Sequence, residues 1–508
     1  MSERDKPRIG VLRTQVSGLD LVTGGGIPEF SFNIISGAPG TGKTTLAHQI
    51  MFANASPERQ AIYFTVMGEP PIKMLRYQQQ FSFFDPDQVG KTIHFVNLSH
   101  EAMEEGLERT LQRIVDEVDR RNAGIVVVDS FRTLARSSKA TAEDDVARFV
   151  QRLSLRLTAW HATTFLIGEY GTEELEATPV ASIADGIFEL SQQVVRNSMV
   201  RRLRIVKVRG QGPQPGLHTV RIDADGVHVF ARMQNPVESL LKTTSLEKIS
   251  TGVPGLDDLL GGGTLRGNVM MVAGPSGTGK TTLATQFITE GVRRGETGVI
   301  AVFEETPPKY AEHAAGMGFD MEKMVQDGKV DLVYLRPLDL SVDETLYAIQ
   351  QAVARVKATR VVIDSLTALE IALAPQFKED MRESLYRLLG ALTGGGITVL
   401  MTIEIAESYG ELRFSPHAVS FMTHDIILMR YVELESALKT VIAVVKTRGR
   451  AHRREITAYE ITDRGLVVGD ALRGYEGVIT AVPRFVGDRP AARPVRPKAV
   501  GKSRRKPR

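Results

Sequence analysis

The chain has 508 residues, 42% hydrophobic and 24% charged, a balance that fits about two to four ordinary folded domains and excludes a wholly disordered or collagen-like chain. It contains no cysteine, which rules out disulfides, thiol catalysis and cysteine-ligated zinc, and a cytoplasmic home is the simplest expectation. The net charge is +3, but from Arg484 onward ten Lys/Arg stand against one acid, Asp488, so the body is mildly acidic, which argues against nucleic acid as its partner.

The opening "MSERDKPR" is charged and has no apolar run behind it, so no export signal is expected. No apolar run approaches the roughly 20 residues that a bilayer span needs, and no membrane partner is expected. Beyond this short tail (1–9), "VSGLDLVTGGGIP" from Val16 leads into the apolar run "FNIISG" at Phe32 and the loop "GAPGTGKTT" at Gly37. Further apolar runs follow, "AIYFTV" at Ala61, "GIVVVDS" at Gly124 and "TTFLIGE" at Thr163, with the amphipathic stretch "EDDVARFVQRLSLRLTAW" at Glu143 among them. The series then repeats. "VPGLDDLLGGGTL" from Val253 precedes "VMMVAG" at Val269 and "GPSGTGKTT" at Gly274, followed by "GVIAVFEE" at Gly298, "RVVIDS" at Arg360, "KEDMRESLYRLLGALTGGG" at Lys378 and "ITVLMTIE" at Ile397.

A repeat this long is a duplicated domain. Short β-branched runs, apolar on both faces and alternating with helices, predict two tandem α/β domains. Each is an α/β fold on a doubly wound, mostly parallel sheet. The expected divisions are a first domain at 10–235, a connector at 236–248, a second domain at 249–480, and a disordered basic tail at 481–508.

Both loops fit G-x-x-x-x-G-K-[ST], whose glycines let backbone N–H groups turn toward phosphate oxygens at the start of a helix. The expected nucleotide-binding residues are Gly37, Gly40, Gly42, Lys43, Thr44 and Thr45 in the first copy. In the second they are Gly274, Gly277, Gly279, Lys280, Thr281 and Thr282. The lysines would reach the β- and γ-phosphates of ATP. Thr44 with Asp129, and Thr281 with Asp364, would hold Mg²⁺, each acid ending an apolar run at the sheet edge where ligands bind. Hydrolysis also needs a group that activates water. The second copy offers adjacent Glu304 and Glu305 after its strand, where neighbouring side chains would point opposite ways. The first offers Glu69, with Gly68 in place of Glu304, so the second copy reads as chemically complete and the first as diminished. Each half ends on a basic signature, Lys207 with Arg209 and Lys446 with Arg448. Alternation on a strand puts each pair on one face, from which it could reach a neighbouring subunit's γ-phosphate.

The tandem loops, the "GLDxxxGGG" lead-in, "FEETP", "VVIDS" and the repeated "KxRG" together resemble the KaiC family of RecA-superfamily ATPases, over roughly residues 10 to 480. The resemblance implies a homohexamer of two stacked rings with ATP between subunits. It implies a first domain that is a slow ATPase supporting assembly, and a second that also autophosphorylates serine or threonine, with Glu304 and Glu305 activating the hydroxyl. The Lys and Arg pairs would contact nucleotide across the interface, and unidentified signalling proteins would be partners. Where circadian members carry an adjacent Ser-Thr pair, this chain has Phe421 and Met422, leaving Ser420 and Thr423 as candidate phosphoacceptors. The expected function is thus an ATPase and serine/threonine autokinase in a signalling or timing module. The alternatives are a RecA-type DNA-dependent ATPase and a nucleotide-gated scaffold.

Overall fold

The structure, a computed structural model, describes residues 9–66, 71–130, 143–171, 180–195, 198–232, 246–335, 341–372, 381–405, 421–478 and 483–487. Gly68, Glu69, Ser420, most of the expected connector and nearly all of the basic tail lie outside the described residues.

The chain forms two compact units, each built on one nine-stranded sheet. The first sheet contains β1 (Phe32–Gly37), β2 (Gln60–Thr65), β3 (Ile93–Asn97), β4 (Ala123–Asp129), β5 (Thr163–Gly168), β6 (Gly186–Val195), β7 (Ser198–Val208), β8 (Leu217–Asp223) and β9 (Gly226–Phe230). Their order is β3-β2-β4-β5-β1-β6-β7-β8-β9. The strands from β3 to β6 run parallel, and β7, β8 and β9 close the sheet as antiparallel additions.

The second sheet contains β10 (Val269–Gly274), β11 (Gly298–Val302), β12 (Val330–Tyr334), β13 (Arg360–Asp364), β14 (Thr398–Glu404), β15 (Asp425–Leu434), β16 (Ala437–Thr447), β17 (Ile456–Thr462) and β18 (Gly465–Ala471). Its order, β12-β11-β13-β14-β10-β15-β16-β17-β18, repeats the first strand for strand.

Burial on both faces explains the continuous apolar runs. On β2 and β4, Tyr63, Ile125 and Val127 join one core, while Ile62, Phe64, Val126 and Val128 join another on the opposite face. Helix α1 (Lys43–Asn54) packs Leu46, Ile50 and Met51 into the first of these cores. Helix α2 (Leu107–Arg121) and α3 (Glu143–Ala159) contribute Ile114, Val118, Val150 and Leu153 to the other. In the second unit α4 (Lys280–Arg293) places Leu283, Phe287 and Ile288 against Val272, Ile300 and Val362. Helix α5 (Pro307–Gly316), opened by prolines at its first turn, adds Tyr310 and Ala314. The late amphipathic stretch forms a helix over Met381–Gly394, ending at its glycines as expected. No helix among the described residues is long and apolar enough to cross a membrane.

Candidate active sites

Strand, glycine loop and helix follow one another in both copies. β1 ends on Gly37 and α1 starts at Lys43, while β10 ends on Gly274 and α4 starts at Lys280. The residue capping each helix is left-handed, with φ of 100° at Gly42 and 86° at Gly279. A Cβ there would lie 2.4 Å from Cδ1 of Ile222, or 2.6 Å from Cδ1 of Ile461. Glycine alone meets both demands, and the first helical N–H groups are left to face an anion.

Lys43 Nζ donates to the carbonyls of Gly37 and Ala38, both at 2.8 Å, and Lys280 Nζ donates to Pro275 O at 2.7 Å. Burial lowers both ammonium pKa values. Glu169 and Asp129 near Lys43, and Glu404, Asp364 and Glu304 near Lys280, partly raise them again. Thr45 is half-buried on the first turn of α1. Thr282 is buried, with Oγ1 3.2 Å from Met317 Sδ. Both threonines continue the loop into its helix.

Each expected metal pair is assembled. Thr44 Oγ1 donates to Asp129 Oδ2 at 2.9 Å, and Thr281 stands beside Asp364 and helps to lower its carboxyl pKa. A second hydroxyl joins each acid, Tyr63 on Asp129 at 2.5 Å and Thr402 on Asp364. Burial raises both carboxyl pKa values, and these hydroxyl hydrogen bonds pull them back. The Asp129–Ser130 and Asp364–Ser365 peptide bonds are both cis. A threonine hydroxyl beside a carboxylate supplies the hard oxygen donors that Mg²⁺ prefers, so these residues fit that ion.

The paired glutamates depart from the strand geometry expected of them. β11 stops at Val302, and Phe303, Glu304 and Glu305 form a bend. Glu304 is exposed and accepts from Ser365 Oγ at 3.2 Å, beside Asp364. Glu305 is half-buried and lies 3.0 Å from His313 Nδ1 on α5. The two side chains thus diverge, though through a bend and not through strand alternation.

The basic signatures occupy matching positions. Lys207 ends its reach on Ala181 O at 2.7 Å, and Arg209 bonds Asp185 Oδ1 and Ser182 O, each at 3.1 Å. Lys446 donates to Thr423 O at 2.9 Å and Arg448 to Phe421 O at 3.2 Å. The strands stop at Val208 and Thr447, so each arginine lies one residue past its strand. A bulge precedes each lysine, at the register shifts between Ile187 and Phe188 and between Ile426 and Ile427. Burial and the adjacent arginine lower both lysine pKa values. Of the candidate acceptors, Thr423 is fully buried.

Two acids were not singled out from the sequence. Glu169 follows β5 and Glu404 ends β14, and each is the acid that acts most strongly on its loop lysine. The signal was present: both end apolar runs at the same sheet edge as Asp129 and Asp364.

The family model described as "ATPase: KaiC" matches residues 12–234 and again residues 249–473. The chain belongs to the KaiC family of ATPases. It is 27% identical to the circadian clock oscillator protein KaiC of Picosynechococcus sp., over 93% of this chain and 92% of that protein. It is 27% identical to circadian clock oscillator protein KaiC 1 of Synechocystis sp., over 94% and 93% of the two chains. The corresponding figures for KaiC of Prochlorococcus marinus are 26%, 94% and 96%. This KaiC-family protein is therefore an ATP-binding ATPase of two tandem RecA-like domains.

Proposed function

We propose that this KaiC-family protein is a Mg²⁺-dependent ATPase whose second copy does the faster chemistry, and that it serves as a timing or signalling module in a homohexamer of two stacked rings. The observation that carries the reading is the threonine–aspartate pair beside each glycine loop, joined in the second copy by Glu304. The relatives named above, circadian clock oscillator proteins, support the timing role.

In this reading Thr44 with Asp129, and Thr281 with Asp364, would hold Mg²⁺, which would supply positive charge to offset that of the phosphates. Lys43 and Lys280 leave their loop carbonyls for phosphate oxygens. Glu304 takes the proton of the attacking water, supported by the Ser365 hydroxyl beside it, and Glu305 braces the bend through His313. Lys207, Arg209, Lys446 and Arg448 reach the nucleotide of a neighbouring protomer, where a cation stabilises charge on the transferred phosphoryl group. The first copy has Gly68 where the second has Glu304, so Glu69, at the position of Glu305, would have to activate water there alone.

Serine/threonine autokinase activity belongs to the same chemistry, with a side-chain hydroxyl replacing water. The burial of Thr423, and the apolar Phe421 and Met422 before it, favour a second reading in which ATP binding and hydrolysis gate assembly without phosphotransfer.

Incubation of the full chain with γ-labelled ATP tests both. Release of labelled phosphate, sharply reduced in Lys280→Ala and lost when Lys43→Ala is added, is expected for the ATPase. Label retained on Ser420 or Thr423 and lost in Glu304→Gln supports the autokinase, whereas turnover with no retained label supports the gated assembly. A chain that stays monomeric at saturating Mg·ATP overturns the ring.

A further inference from the structure

The two copies secure their metal-pairing aspartate from opposite sides. β4, which carries Asp129, lies between β2 and β5, and β13, which carries Asp364, lies between β11 and β14. In the first copy the extra hydroxyl comes from β2: Tyr63, in register with Val127, donates to Asp129 Oδ2. In the second copy the matching residue is Ile300, in register with Val362, and offers nothing polar. There the hydroxyl comes from the other neighbour, Thr402 on β14, which donates to Asp364. The first-copy residue matching Thr402 is Ile167, directly opposite Asp129. One copy pairs tyrosine with isoleucine and the other pairs isoleucine with threonine, so each aspartate receives one strand-borne hydroxyl.

We propose that Tyr63 is a positioning residue for the metal site of the first copy, orienting Asp129 with a phenol from β2 as Thr402 orients Asp364 from β14. Oδ2 of Asp129 receives both Thr44 and Tyr63, and two donors on one oxygen restrict rotation of the carboxylate. The phenol is itself held. Its ring is buried, stacks on His48 at 4.4 Å between centroids, and lies 5.6 Å from the Phe95 ring. Hydrogen bonds to metal-holding carboxylates set metal affinity by fixing the ligand's direction, and their loss typically weakens binding about 10–100-fold.

The inference rests on the nucleotide reading above, and the experiment separates the two. The probe is a fluorescent ATP analogue bound by the full-length chain, titrated with Mg²⁺. Lys280→Ala isolates the first site and Lys43→Ala the second. In the Lys280→Ala chain, Tyr63→Phe keeps the stacked ring and is expected to raise the Mg²⁺ midpoint about 10–100-fold, with metal-free nucleotide affinity within about twofold. Adding Ile167→Thr, which imports the second copy's arrangement, is expected to restore the midpoint, a rescue that a merely structural role for Tyr63 would not produce. In the Lys43→Ala chain, Thr402→Val should raise the midpoint and Tyr63→Phe should leave it alone. An unmoved midpoint in Tyr63→Phe, or no recovery on adding Ile167→Thr, overturns the inference. If Tyr63→Phe fails to fold, Tyr63→Ile with Ile167→Thr takes its place, and a midpoint unlike the parent's overturns it. Nucleotide uptake indifferent to both lysines would instead overturn the nucleotide reading.

Discussion

Ser365 Oγ donates to Glu304 Oε1 at 3.2 Å, tying the exposed glutamate to the residue that follows Asp364. Glu305 turns to His313 instead. Glu304, and not Glu305, is also among the acids acting on Lys280. The two carboxylates should therefore be unequal. In a Lys43→Ala chain at saturating Mg·ATP, Glu304→Gln is expected to lower kcat for phosphate release about 10²–10⁴-fold, the range for loss of a general base. Glu305→Gln, which keeps a hydrogen-bonding group near His313, should cost less than about tenfold. Equal losses would contradict the division of roles.

The helix-capping glycines give a second, local expectation. Gly42→Ala forces a side chain into a left-handed position, a cost of about 1–2 kcal/mol, and drives Cβ against Ile222. Gly279→Ala does the same against Ile461. Each should weaken nucleotide binding at its own site by at least about tenfold and leave the other site intact, as read by equilibrium titration with a fluorescent ATP analogue. Adding Ile222→Ala to Gly42→Ala should recover part of the loss, because it removes the clash and leaves the backbone cost.

The glycine loops, Asp129, Asp364 and the parallel strands were legible in the sequence because each rests on a local pattern: φ at a glycine, or a run apolar on both faces. Relations between strands were not. Tyr63 and Asp129 meet only because β2 and β4 pair in one register, and nothing near "AIYFTV" marks its tyrosine as facing an acid. The bend at Phe303–Glu305 escaped a strand-based expectation because the apolar run continues through Phe303, while pairing with β13 ends at Val302.

Asp425 opens β15 fully buried, accepting from Thr264 at 2.6 Å and from Arg450 at 2.7 Å. Asp425→Ala would leave the Arg450 guanidinium, nearly buried, without its counter-charge. Removing one partner of a buried ion pair costs about 3–5 kcal/mol. Urea denaturation of the full chain should show a transition destabilised by that order. A shift below about 1 kcal/mol would mean that Arg450 finds another acceptor.

His48 carries the acid sensitivity that the first unit should show. Its ring is fully buried against Tyr63, and neither nitrogen has a hydrogen-bond partner among the described residues. Burial pushes its pKa down to about 3, far below the ordinary value near 6.5. Between those values the unfolded chain binds a proton that the folded chain refuses. The stability gained by keeping the ring neutral is full above pH 6.5 and falls as pH drops toward 3, by up to about 1.4 kcal/mol per pH unit. Asp129 acts in the opposite sense, since its raised pKa lets the folded chain take a proton first. The comparison must therefore be between proteins and not between pH values alone. His48→Leu removes the ring and its titration, so its unfolding free energy should fall less between pH 7 and pH 5 than that of the parent chain. Parallel losses in the two proteins would mean that the folded chain protonates His48 after all. The second copy has Thr285 at the matching helical position, bonded to Tyr310 at 2.7 Å, and should lack this term.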